Sequence, residues 1–400
     1  MVEKAVLGAE AGAAPDPVDR RCRVLVLASK PPGLAPGQRF RFEQWTPRLA
    51  RDHGIDLDLL PFESPRLTDV LYQPGHALTK AAGVVYNFVR RTGMLRALRQ
   101  YDAVLVFREA ALIGPALFER LIAWSGKPII FDFDDSIWSP AQLRNNGIFS
   151  RLHCFGKTRT LCRIAAAVTP GNEFLADYAR RFNDHVFVMP TSIELDDYPI
   201  LPEATDDRPF IVCWTGSTST LAHFEHAREA LEMLATRVPL VVKIICNKPP
   251  ERPIAGAETR FVAWSQRSEA QEIGHCHAGI MPLPDDEVTR GKCGLKALQY
   301  MATGRPVVIS PIGMNKDLVD NGRNGFLAST PAEYVDALTR LAEAPELRAR
   351  IGAAGRQTVE RDYSAEAVAA KFAEVVRLVT AQTPSTASGD RKPPRRARAR

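Results

Sequence analysis

No run of about 18 apolar residues occurs in the 400-residue chain, so no segment reads as a membrane-spanning helix. The seven cysteines are odd in number and scattered, without Cys-x-x-Cys spacing. That pattern excludes a disulfide framework and fits a reducing cytoplasm. A large basic face is missing too. The formal charge is +6, but residues 390–400 hold six basic side chains and one acid, leaving +1 for the remainder. A nucleic-acid-binding body would be far more basic, so no specific nucleic acid is expected. Repeats of solenoid period are absent. The first twenty residues lack the apolar core of a signal peptide and read as a disordered leader.

Short apolar runs are plentiful and alternate with helical patterns. One series lies at 24–28, 55–60, 103–107, 128–133, 166–169 and 186–189. A second lies at 210–214, 240–246, 259–263, 278–282, 306–309 and 325–328. Continuous apolar runs suit parallel strands covered on both faces, and the alternation implies βαβ units. The fold class is therefore α/β, with two doubly wound Rossmann-like domains about a central cleft. The expected division is a domain over 21–196, a Pro- and acid-rich linker over 197–209, and a second domain over 210–364. A helix over 365–380 and a disordered basic tail over 381–400 follow. Chemistry should sit in the loops after strands, at the carboxyl edges of the sheets.

Residues 291–308 are the most informative segment. Gly291 and Gly294 allow close backbone approach, and a helix beginning there aims free N–H groups and positive dipole at its guest. Lys292 and Lys296, four apart, share one face near that end. Phosphate is the expected ligand. Gly304 stops the helix and 306–309 resumes a buried strand.

Met301-Ala302-Thr303-Gly304-Arg305-Pro306-Val307-Val308, with Gly294 before it, resembles the signature of retaining glycosyltransferases of family 4, which have the GT-B architecture. The resemblance extends over about residues 22–375. Residues 211–217, ending in Gly216 and Ser217, resemble the glycine turn beside the donor diphosphate. Residues 311–317, with Gly313, Met314 and Asn315, resemble the loop beside the base and sugar. The loop 29–41, with Gly37, Arg39 and Arg41, resembles the one that reaches the donor phosphates from the first domain. By resemblance, Gly291, Cys293, Gly294, Leu295, Lys296 and Gln299 complete the donor site. Two departures are plain. The family's paired glutamates are replaced by Gly291 and Gln299, and the Arg and Lys that usually follow the glycine turn are absent. Gln299 can still exchange hydrogen bonds with a ribose. Gly291 cannot replace a carboxylate, so Asp285, Asp286 or Glu287 are candidates for that role, with Lys292 and Lys296 binding the diphosphate.

Asp132, Asp134 and Asp135 end an apolar strand and must find partners. In the resemblance Asp134-Asp135 occupy the place of a His-Asp pair near the transferred sugar. A local reading is helix capping plus an ion pair with Arg108. Another is the Asp-x-Asp of a Mg²⁺-dependent phosphatase of haloacid-dehalogenase type, although that motif ordinarily closes the first strand of its fold. Arg108 and Glu109 end the preceding strand and form either an ion pair or, with Asp132, an acceptor-side contact. His275-Cys276-His277 does not match zinc-ligand spacing. His223 and His226 are solvated helix residues or phosphate contacts. Residues 76–99 form a basic amphipathic helix that either packs in the core or lies on anionic lipid.

The combined expectation is a cytoplasmic enzyme, either free or peripheral at the inner face of the cell membrane, moving a sugar from a nucleotide diphosphate-sugar to a glycan or lipid-linked acceptor with retention. Polysaccharide synthesis at the cell surface is the setting the resemblance implies. Catalytic roles fall to Asp134, Asp135 and Lys292. No cofactor or metal is expected. The alternatives are a GT-B protein that binds nucleotide-sugar or glycan without turnover, and the phosphatase.

Overall fold

The computed structural model describes residues 21–71, 73, 75–111, 114–143, 154–202 and 209–382. The expected leader, almost all of the expected tail and residues 203–208 of the expected linker lie outside them. Two wholly parallel sheets follow one another along the chain. The first has the order β2-β1-β3-β4-β5, from Cys22–Ala28 (β1), Ile55–Pro61 (β2), Ala103–Phe107 (β3), Ile129–Phe133 (β4) and Ala167–Pro170 (β5). The second has the order β11-β10-β9-β6-β7-β8. Its strands are Phe210–Thr215 (β6), Leu240–Cys246 (β7), Glu258–Ala263 (β8), Ala278–Met281 (β9), Val307–Ile309 (β10) and Phe326–Leu327 (β11).

Strands with two covered faces are buried throughout, as in β3, β4 and β7. β8 lies at an edge and carries Glu258 and Arg260 outward, which discourages pairing with another chain. Strand order reverses between β1 and β3 in the first sheet and between β6 and β9 in the second. Crevices form at such reversals, and the loops after β1, β3, β6 and β9 therefore meet there.

One reading changes. Residues 186–189 are not a strand of the sheet; they make one bridge, Val168↔Val186. Pro170 in β5 has no N–H to return a bond, and Pro190 stops the run. The last helix, Ala365–Ala381, does not cover the second domain that precedes it. It is capped by Ser364 and crosses back to the first sheet, where Val368, Phe372 and Val376 join Val24, Val26 and Trp45 in one core. Trp45 meets Phe372 edge-on, with centroids 4.7 Å apart.

The helix Ala77–Ala97 packs one side into the core and leaves the other side exposed. Its inner side buries Asn87, Arg91 and Met94, and Phe88 lies 5.2 Å from Phe62. Its outer side leaves Leu78, Val85, Tyr86 and Val89 in solvent.

Candidate functional site

Alternation along β4 sends Asp132 to one face and Phe131 and Phe133 to the other, and Asp134 and Asp135 follow directly after the strand. Asp132 is buried and binds Arg41, whose Nε donates at 3.1 Å. Thr169 Oγ1 donates to the same carboxylate at 2.7 Å. Arg41 is 1% exposed and also donates to the Thr169 and Met189 carbonyls. Burial pushes the Asp132 carboxyl up, and Arg41 opposes it. Neither residue reaches the cleft. The expectations that Arg41 holds donor phosphate and that Asp132 faces acceptor are therefore corrected: this pair ties the loop after β1 to β4 and β5.

Asp134 and Asp135 share Arg108. Its Nε donates to Asp134 at 2.7 Å and its Nη2 to Asp135 at 2.7 Å. Arg108 holds a left-handed backbone, φ 59°, uncommon for a side-chain-bearing residue, and its N–H donates to the Asp132 carbonyl at 2.7 Å. Gly37 packs closely against this cluster: a Cβ there would lie 3.0 Å from Asp134 Oδ2 and 3.3 Å from Arg108 Nη2. Glu109 turns away to Lys157 at 3.5 Å; burial is the chief reason its carboxyl rises to about 7.

Lys292 crosses between the domains. Its Nζ donates to Asp135 Oδ1 at 2.7 Å. Burial alone would raise the Asp135 carboxyl, but Lys292 and then Arg108 outweigh it and hold it below the usual carboxylate range. Other bonds fix the same junction. Asn172 Nδ2 donates to the carbonyls of Arg290 and Lys292 at 3.1 and 3.0 Å. Cys293 Sγ donates to the Asp134 carbonyl at 3.3 Å. Ser139 Oγ and Trp138 Nε1 donate to the Glu287 carboxylate at 2.6 and 3.0 Å.

This junction explains Gly291. A Cβ on it would overlap Ser136 Oγ and lie 3.0 Å from Ser136 N, in the first domain. A glutamate at 291 cannot coexist with this approach of the two domains. The upstream acids do not stand in for it. Asp285 pairs with Arg290 at 2.6 Å, Asp286 caps the turn Glu287–Arg290, and Glu287 serves the junction.

On the second-domain side, the helix Leu295–Ala302 starts at Gly294, whose φ of 64° turns the chain into it without a side-chain cap. Its first N–H groups therefore lack intrahelical partners. Lys296 lies over the Trp214 ring, 5.6 Å from the centroid. Among the described residues no carboxylate bonds to it. Burial and then Lys292 lower it to about 8. His223 is nearby and is lowered to about 4 by burial, then Lys296 and Lys292. Below them Gly216 closes the turn after β6, since a Cβ there would overlap the Trp214 ring, and Ser217 caps the next turn.

Gln299 is buried, and its Nε2 donates to Tyr198 at 2.8 Å and to Glu269 at 2.9 Å. Glu269 also accepts from Trp264 Nε1 at 2.8 Å and Thr215 Oγ1 at 3.2 Å. Arg39, from the first domain, approaches Glu269 at 3.8 Å while its buried Nε has no partner among the described residues. Asn315 is buried and braces its own loop through Ser310 at 2.9 Å, with Met314 buried beside it; Gly313 passes the Arg290 carbonyl too closely for any Cβ.

Sequence reasoning missed Glu269, Trp214, Ser136 and Asn172. Trp214, a large aromatic at the carboxyl end of β6, gave a signal. The others belong to no motif. His277 has a local role: its Nδ1 accepts the Ile211 N–H at 2.9 Å and its ring stacks on Phe210.

Residues 210–344 match the family model described as glycosyl transferases group 1. The D-inositol 3-phosphate glycosyltransferase of a Nocardioides species is 37% identical over 91 residues, covering 22% of this chain and 20% of that one. The enzyme of the same name from Streptomyces griseus is 46% identical over 63 residues, 15% of this chain and 13% of its own. This chain thus spans a fifth or less of the length of these curated relatives. Among solved structures, sucrose-phosphate synthase from Thermosynechococcus elongatus superposes with TM-score 0.63 at 16% identity, covering 90% of this chain and all of that one. Anabaena HepE, solved with UDP and glucose, gives 0.59 at 14% identity over 89% of this chain and all of its own. The chain therefore has the GT-B fold, two Rossmann-like domains, and its second domain matches glycosyl transferases group 1.

Proposed function

We propose that the protein is a glycosyltransferase that takes a nucleotide diphosphate-sugar and passes the sugar to a glycan or lipid-linked acceptor. The observation that carries this reading is the surplus of one cation where the domains meet: Lys296, Lys292, Arg39 and Arg108 face Asp134, Asp135 and Glu269, and no carboxylate bonds Lys296 among the described residues. Such a surplus is stabilised by an anion, and the open N-terminus of the helix Leu295–Ala302 adds donors to it. The second-domain match supports a sugar donor over another phosphate compound.

In the proposed retaining, front-face reaction, the bond from the anomeric carbon to the diphosphate breaks and a bond to the acceptor oxygen forms on the same face. The departing phosphate oxygen takes the acceptor proton. Lys296, Lys292 and the helix N–H groups stabilise the negative charge that develops on the diphosphate. No protein nucleophile and no metal are invoked, because these cations supply the neutralising charge. Asp134 and Asp135, fixed by Arg108, line the first-domain side near the transferred sugar. Lys292 exchanges Asp135 for phosphate when donor binds. Action at the inner membrane face in cell-surface polysaccharide synthesis belongs to the same proposal.

Calorimetry with UDP, GDP and ADP, with and without Mg²⁺, tests the reading. One nucleotide should bind without metal, and Lys296→Met should weaken it about tenfold or more, the scale of a charge-assisted hydrogen bond. No binding of any nucleotide would overturn the donor site. Binding without sugar transfer would leave a binding protein. Mg²⁺-dependent phosphate release would favour the phosphatase, against which Asp132 already weighs by being sealed under Arg41.

A further inference from the structure

Among the exposed large apolar side chains, Leu78, Val85, Tyr86 and Val89 lie on the single helix Ala77–Ala97 at 88%, 63%, 61% and 65% exposure. Spacings of seven and four put Leu78, Val85 and Val89 on one stripe, and Arg96 continues it seven residues later. Nothing among the described residues covers that stripe. The inner face is complete without it, closed by Met94, Leu98 and the Phe88 contacts with Phe62 and Phe118. The adjoining helix Leu117–Trp124 exposes Leu117 and Trp124 at its two ends.

The charge pattern identifies the occupant. Between Asp69 and Asp102 the chain has no acidic residue and five cations, Lys80, Arg90, Arg91, Arg96 and Arg99. Three of them are used internally. Lys80 donates to the Gln73 carbonyl, Arg90 to Pro61 and Phe62, and Arg91 to Leu60 and Ala28. Arg96 and Arg99 remain exposed at the carboxyl end of the stripe. A stripe about 27 Å long, apolar over its first ~17 Å from Leu78 to Val89, ending in exposed arginines and lacking acids, matches an anionic bilayer surface, where apolar side chains enter the acyl boundary and arginines meet headgroup phosphates. A second copy would bring the same arginines toward each other.

We propose that this face of the first domain docks on anionic lipid. The inference rests on the membrane-face part of the proposed function and gives it a surface; its test is independent of the donor site, because neither Lys296 nor Lys292 is involved.

The test is co-sedimentation of the full chain with vesicles of phosphatidylcholine alone and of phosphatidylcholine with 30% phosphatidylglycerol, at two salt concentrations. Binding should require the anionic lipid. Arg96→Glu with Arg99→Glu should weaken it at least 25-fold, from about 1 kcal/mol per basic residue, or about fivefold each. Val85→Asp with Val89→Asp should weaken it about tenfold or more, with the thermal transition unchanged because both sites are exposed. Equal binding by the valine variant and the wild type would overturn the proposal and assign vesicle binding to the basic residues 391–400. A concentration-dependent dimer lost in the valine variant, with no vesicle binding, would overturn it in favour of an interface between copies.

Discussion

Nucleotide diphosphate affinity should fall about tenfold between pH 7 and pH 9, and Lys296 is the reason. The ammonium sits at about 8, chiefly through burial and then through Lys292. About nine tenths of the free protein carries that proton at pH 7 and about one tenth at pH 9. A bound diphosphate contributes the negative charge the site lacks and returns the pKa toward the ordinary 10.5. The complex thus stays protonated across this range while the free protein does not. Binding must take up a proton above pH 8, and the dissociation constant rises in proportion to the lost protonated fraction. The window isolates this group. His223, at about 4, is neutral throughout it, and a terminal phosphate with pKa about 6 is already ionised. Calorimetry at pH 7, 8 and 9 in two buffers of different ionisation enthalpy reads affinity and proton uptake together. Wild type should take up close to one proton at pH 9, and Lys296→Arg, which stays charged, should bind with a flat profile. A flat profile in the wild type, or the same slope in Lys296→Arg, would refute the assignment.

Two further outcomes concern the scaffold. Arg41→Ala leaves Asp132 buried without its cation and should destabilise the fold by about 3–5 kcal/mol, read by chemical denaturation; a loss below about 1 kcal/mol would show the pair to be dispensable. Gly291→Ala should separate the domains, because its Cβ overlaps Ser136 Oγ, and small-angle scattering should record a larger radius of gyration. Adding Ser136→Ala removes the nearest atom and should restore the wild-type radius in part; an unchanged radius in the single variant would show that the junction yields without opening.

The sequence by itself determined the two series of strands apart from 186–189, because central parallel strands covered on both faces are apolar throughout. It also determined the helix after Gly294, because a glycine, an apolar periodicity and a stop at Gly304 are local signals. From the same segment Lys296 was legible as a cation beside an open helix end. Pairings between distant segments were not legible, since no local pattern encodes which charges meet. Arg41 and Arg39 are two residues apart in one helical turn, Arg39–Glu43, which sends Arg41 inward to Asp132 and leaves Arg39 facing Glu269. Asp134 and Asp135 read alike, and only the approach of the second domain gives Asp135 the additional bond to Lys292. Gly291 reads as a lost carboxylate. Tertiary structure shows it as the point where Ser136 comes too near for any side chain, a constraint set by close packing between segments 155 residues apart in sequence.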